Sequence, residues 1–112
     1  MFHQDNLIHS LTKIGANPSF TIFDKLKQVY TESGRHYHTD KHIADCLTLL
    51  HSQRQQATHP AEIAIALWFH DAVYDTRRED NEEQSAEWAI KFLEAVKVKQ
   101  AIRDRIAQLI MV

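Results

Sequence analysis

His70-Asp71 follows the apolar run 63–69 and sets a nitrogen ligand beside an oxygen ligand. Upstream, Arg35-His36-Tyr37-His38-Thr39-Asp40-Lys41-His42 carries three histidines within seven residues. A hydrolytic metal centre needs neutral imidazoles and carboxylates converging on one ion, with positions left open for water and substrate. His42 near the start of one helix and His70 and Asp71 at the end of another can supply three such ligands. Neighbouring helical residues diverge by about 100°. His70 and Asp71 therefore reach one ion together only at a helix end or a distortion; alternatively, Asp71 bridges two ions. An ionisable pair placed directly after Leu67-Trp68-Phe69 is costly to bury unpaired, so its setting says more than the dipeptide does.

The elements that must position these groups are helical. Apolar residues recur at helical spacing almost throughout, and two glycines and two prolines are too few for a turn-rich β fold. The spacing predicts a first helix over 5–14, with Leu7, Leu11 and Ile14 on one face. Gly15-Ala16-Asn17-Pro18 stops it. A second helix over 19–31 buries Phe20, Phe23, Leu26 and Tyr30. A third starts at Thr39 or Asp40, either of which can cap it, and turns Ile43, Cys46, Leu47, Leu49 and Leu50 inward. Pro60 fits the first turn of a fourth helix, apolar nearly all round and hence central. Residues 74–78 read as a loop. Asp80 and Glu83 have the spacing of a capping box for a fifth helix that buries Ala86, Ile90, Phe92 or Leu93, and Val96. A sixth places Ile102, Ile106, Leu109 and Ile110 on one face and ends on Ile110-Met111-Val112 without a cap.

Bulk properties exclude several classes. The 112 residues suffice for one small domain, with 44% hydrophobic and 25% charged residues. A formal net charge of -2 gives no electrostatic case for nucleic acid or an anionic membrane. The longest apolar run is far too short to span a bilayer, and no signal peptide is visible at the N-terminus. One cysteine fits a reducing cytoplasm. Eight histidines are the unusual feature. His3, His9, His51 and His59 read as solvated, and Trp68, Phe69, Phe23 and Trp88 as core.

Three segments taken together resemble a family. Residues 35–43, then Leu67-Trp68-Phe69-His70-Asp71-Ala72-Val73-Tyr74-Asp75, then Asp80-Asn81-Glu82-Glu83-Gln84-Ser85-Ala86 are similar to a bacterial branch of the HD-domain metal-dependent phosphohydrolases. Tyr37-His38-Thr39-Asp40-Lys41-His42 also resembles the Tyr-His-Asn-x-x-His motif of cyclic-nucleotide phosphodiesterases, which share that fold. The resemblance implies an all-α, HD-domain-like bundle of about five to six helices. It implies His42, His70 and Asp71 as metal ligands, His38 as the acid that protonates the leaving oxygen, and Asp71 as a catalytic group orienting water. The cofactor is then a divalent ion, with Mn, Fe, Zn, Ni and Mg not distinguished. Arg35, His36, Lys41, Tyr74, Asp75, Glu82 and Glu83 are candidate substrate-binding or supporting residues.

The family pattern also implies a further aspartate ligand on a later helix. Asp75 and Asp80 come too early, and Asp104 falls on a polar helix face. The expectation is a single domain over 1–112, the N-terminal portion of an HD-type unit and incomplete at its C-terminus. The expected activity is hydrolysis of a small phosphorylated substrate, a phosphomonoester or phosphodiester such as a nucleotide. The competing expectation is a catalytically inactive helical protein that forms homo-oligomers through the apolar face left by the shortened end.

Overall fold

A computed structural model describes residues 2–19, 21–35 and 38–111. The chain forms an all-α bundle: α1 (Gln4–Lys13), α2 (Ile22–Tyr30), α3 (Asp40–Ser52), a 3-10 turn (Arg54–Gln56), α4 (Pro60–Phe69), α5 (Asn81–Ala95) and α6 (Gln100–Met111). No described residue lies in a strand. No helix is long and apolar enough to cross a membrane.

α4 sits at the centre because it has no polar stripe to offer water. It packs against α1, α3, α5 and α6. Ile65, Trp68 and Phe69 are fully buried on it, facing Leu7, Tyr30, Ile43, Leu93 and Ile106 in one continuous core. Each such side chain contributes about 1.5–3 kcal/mol by leaving water.

α1 and α5 end the same way with different residues. Behind α1, the Ala16 and Gly15 amides donate to the carbonyls of Leu11 and Thr12, with Gly15 at φ 83°. Behind α5, the Val98 and Lys97 amides donate to Leu93 and Glu94, with Lys97 at φ 66°. Both are Schellman closures, and glycine adopts the left-handed position without the steric cost that lysine bears.

Several expected details shift. α2 begins at Ile22, after a Thr21 cap position, and Phe20 lies outside the described residues. Thr39 is the cap position of α3, but neither it nor Asp80 before α5 makes a side-chain cap bond. Asp80 instead spends its carboxylate on Arg78 and Gln84, which dissolves the expected capping box. Leu49 is 61% exposed and Leu109 43% exposed, both on faces expected to be inward. Helical period alone does not say how wide a neighbouring helix covers a face. On α5, Leu93 rather than Phe92 is the fully buried residue, and Ile90 is half-buried.

Candidate metal centre

A helix that ends inside the protein leaves carbonyls needing donors. The C-terminus of α4 is such an end, and its solution builds the site. The Tyr30 hydroxyl donates to the Trp68 carbonyl at 2.7 Å, and the Ala72 amide to that of Phe69 at 3.0 Å. Burial pushes the Tyr30 hydroxyl up, so it stays a neutral donor. His70 is the cap residue, still at φ -61°, ψ -29°. Its Nδ1 lies 2.7 Å from the Leu67 carbonyl, an acceptor, so Nδ1 carries a proton and Nε2 is the nitrogen turned toward Asp71.

Asp71 is the residue after the cap, where helical divergence no longer applies. Its Oδ2 lies 3.1 Å from His70 Nε2, 3.7 Å from His42 Nε2 and 2.8 Å from His38 Nδ1. One ligand atom each from His42, His70 and Asp71 lie within 4.8 Å of one another. The other carboxylate oxygen, Oδ1, makes no hydrogen bond among the described residues. Burial by itself would raise the Asp71 pKa; the bonds from His70 and His38 outweigh it and hold the carboxyl at about 2. Burial likewise opposes a charge on His70, but the bonds to Asp71 and to the Leu67 carbonyl raise its pKa. Three imidazoles surround one ionised carboxylate, and His42, His70 and Asp71 could hold a metal ion.

The arrangement is braced by two residues whose roles the sequence does not announce. Arg35 was a candidate substrate-binding or supporting residue, and its charge alone suggests a substrate contact. Its guanidinium is instead committed to backbone, donating to the carbonyls of His38 (3.0 Å), Asp71 (2.8 Å) and Ala72 (3.1 Å). It thus ties the segment bearing His38 to the segment bearing Asp71. The rings of Tyr30 and Tyr74 lie 5.3 and 5.9 Å from its central carbon, a cation–π setting. Its buried Nε has no hydrogen-bond partner among the described residues. Ser85, fully buried on α5, accepts from the Val73 amide at 3.0 Å and donates to the Val73 carbonyl at 3.2 Å, pinning the chain just after Asp71. A small polar residue on an otherwise apolar helix face is the one sequence signal that marks Ser85.

The remaining candidates divide. Tyr74, 39% exposed, lies against His38 at 4.2 Å between ring centroids and walls one side of the site. Asp75 is spent on Arg77, and its backbone on the Asn81 amide, so it is a loop brace. Lys41, Glu82 and Glu83 are exposed and make no side-chain bond to the cluster among the described residues. His36 lies outside the described residues. Cys46 Sγ comes within 3.8 Å of His42 Nε2, but burial and then the charges of Asp71 and Asp45 push its thiol up, away from the thiolate a metal prefers. Asp104 is exposed on α6. Comparison with protein-family models, curated proteins and solved structures returns no match.

Proposed function

We propose that this chain is a metal-dependent phosphohydrolase acting on a small phosphorylated substrate, a phosphomonoester or a phosphodiester such as a nucleotide. The convergence of His42, His70 and Asp71 within 4.8 Å carries the reading. The sequence resemblance to HD-domain phosphohydrolases, carried by segments that contain the same three residues, points the same way. His42 Nε2, His70 Nε2 and Asp71 would hold the ion. A mixed nitrogen and oxygen donor set suits Mn, Fe, Zn, Ni or Mg. When bound, the ion supplies charge stabilisation at the phosphoryl oxygens and activation of water.

The chain's own groups have distinct tasks. The Leu67 carbonyl fixes the His70 tautomer, and Arg35 holds the two ligand-bearing segments together. His38 donates from Nδ1 to Asp71, which orients the ring and leaves Nε2 as the nitrogen for the leaving oxygen. Tyr74 limits access on the His38 side.

A second reading rests on a different observation. Leu49, Leu109 and Met111 are exposed apolar side chains, at 61%, 43% and 42%, and suit association of copies of this chain. One experiment separates the two. Elemental analysis, oligomeric mass and hydrolysis of an aryl phosphate are measured on the same preparation and on His70→Ala. About one ion per chain, lost together with hydrolysis in the variant, supports the enzyme. A metal-free dimer without hydrolysis sinks it in favour of the assembly.

A further inference from the structure

The opposite end of α4 has a cavity of about 310 Å³, between α1, α3 and the first turn of α4. That volume is at the small end of the range for ligand pockets, roughly 300–1,000 Å³. Its polar lining is one-sided: Asn6, His9, Ser10, His51 and Arg54, with no carboxylate among the described residues. In a chain with 15 acidic residues, that exclusion is informative. The apolar floor is Leu47, Leu50 and Ala64.

Some donors there are unspent among the described residues. Asn6 Oδ1 accepts from the Trp68 indole at 3.2 Å, which fixes the amide; its NH2 end makes no hydrogen bond among the described residues. Ser10 is only 5% exposed, and its hydroxyl makes no hydrogen bond among the described residues. The hydroxyl keeps contact with water and can donate to an acceptor placed in the cavity. Arg54 Nη1 is held by the His51 carbonyl at 2.8 Å and by His51 Nε2 at 3.2 Å. Its Nε and Nη2 edge makes no hydrogen bond among the described residues, and that edge matches a carboxylate in bidentate fashion. Because His51 Nε2 accepts from Arg54, the neutral ring carries its proton on Nδ1, a further donor. Pro60 and Ala61 bring the N-terminus of α4 to the cavity, and no side chain caps it. Glu62, on the same turn, does not line this cavity; its carboxylate pairs with Arg105 from α6.

We propose that this cavity is a second, separate binding site, for a small organic carboxylate whose apolar body rests on Leu47, Leu50 and Ala64. The site is independent of the metal centre and of the activity proposed for it.

Benzoate and its neutral counterpart benzamide are suitable probes, titrated into isotopically labelled, chelator-treated protein and followed by amide chemical shifts. Benzoate is expected to shift Ser10, Ala61 and Ala64 saturably, with benzamide weaker. Arg54→Gln, on an exposed side chain, is expected to weaken benzoate about tenfold, the usual loss of a charge-assisted bond, while spectra elsewhere stay unchanged. Equal binding of both probes, an Arg54→Gln variant that binds normally, shifts confined to the surroundings of His42 and His70, or no shift at all would each overturn the proposal.

Discussion

Two carboxylates stand at the two ends of α4, and they are used in opposite ways. Glu62, 5% exposed at the start of the helix, gives each oxygen to Arg105, at 2.8 Å to Nε and 2.8 Å to Nη2. Asp71, just beyond the other end, faces three imidazoles through one oxygen and leaves the second unspent. An arginine fork saturates a carboxylate and closes the site. Imidazoles can give up the proton they share with it and leave open positions around it. Both groups are largely buried acids beside one apolar helix, and the partners alone decide which is a clasp and which is a candidate ligand.

The largest expected effect comes from removing the Asp71 charge while keeping its shape. Asp71→Asn should lower affinity for Mn or Zn about 100-fold or more, because a neutral amide neither balances the ion nor orients His38 and His70. Calorimetric titration measures this. Glu62→Gln should leave metal affinity within a factor of about two, since the Glu62 clasp takes no part in the ligand set. If Glu62→Gln weakens metal as strongly as Asp71→Asn does, the two ends are not separate.

Stability sharpens the contrast from the other side. Arg105→Met strands the buried Glu62 carboxylate, at a cost of about 2–3 kcal/mol for that acid. Glu62→Gln should cost less, because the half-exposed Arg105 can turn to water. Chemical denaturation of both variants gives the order, and the reverse order would show that the clasp is not what holds α6 to α4.

The smallest effect is in pH. Hydrogen bonding to Arg105 lowers the Glu62 pKa from 4.5, and Asp71 falls from 3.8 to about 2. Depressed carboxyl pKa values add stability above the unfolded values and lose it as pH falls through the folded ones. Asp71 should therefore contribute on the order of 2 kcal/mol near neutrality, lost progressively between about pH 4 and pH 2. His70 has the opposite sign: its raised pKa adds stability below 6.5 that disappears as pH rises through the folded value. Bound metal reverses the His70 slope, because metal and protons compete for Nε2. Melting temperatures from pH 2 to 8, with and without divalent ion, test this. A metal-induced gain that fails to grow as pH rises through the histidine range would argue against imidazole ligation.

Much of the fold was legible in the sequence. Helical spacing located six helices, Pro60 set the start of α4, and the all-round apolar run 63–69 identified the central helix. His42, His70 and Asp71 stood out by type and position, and the structure brings them together. These features are local, being fixed by backbone propensity and by the period of apolar residues. Arg35 illustrates what was not local. Its charge suggested an anion contact, but three carbonyls from two distant segments take its donors. Leu49 repeats the lesson, because nothing in its own helix reveals that no neighbour covers it. The sequence by itself determined the helices, the core helix and the three candidate ligands. Only the tertiary structure decided which acid is neutralised by arginine and which is left to imidazoles. That choice depends on donors separated by many residues in the chain, which meet only once the core has packed.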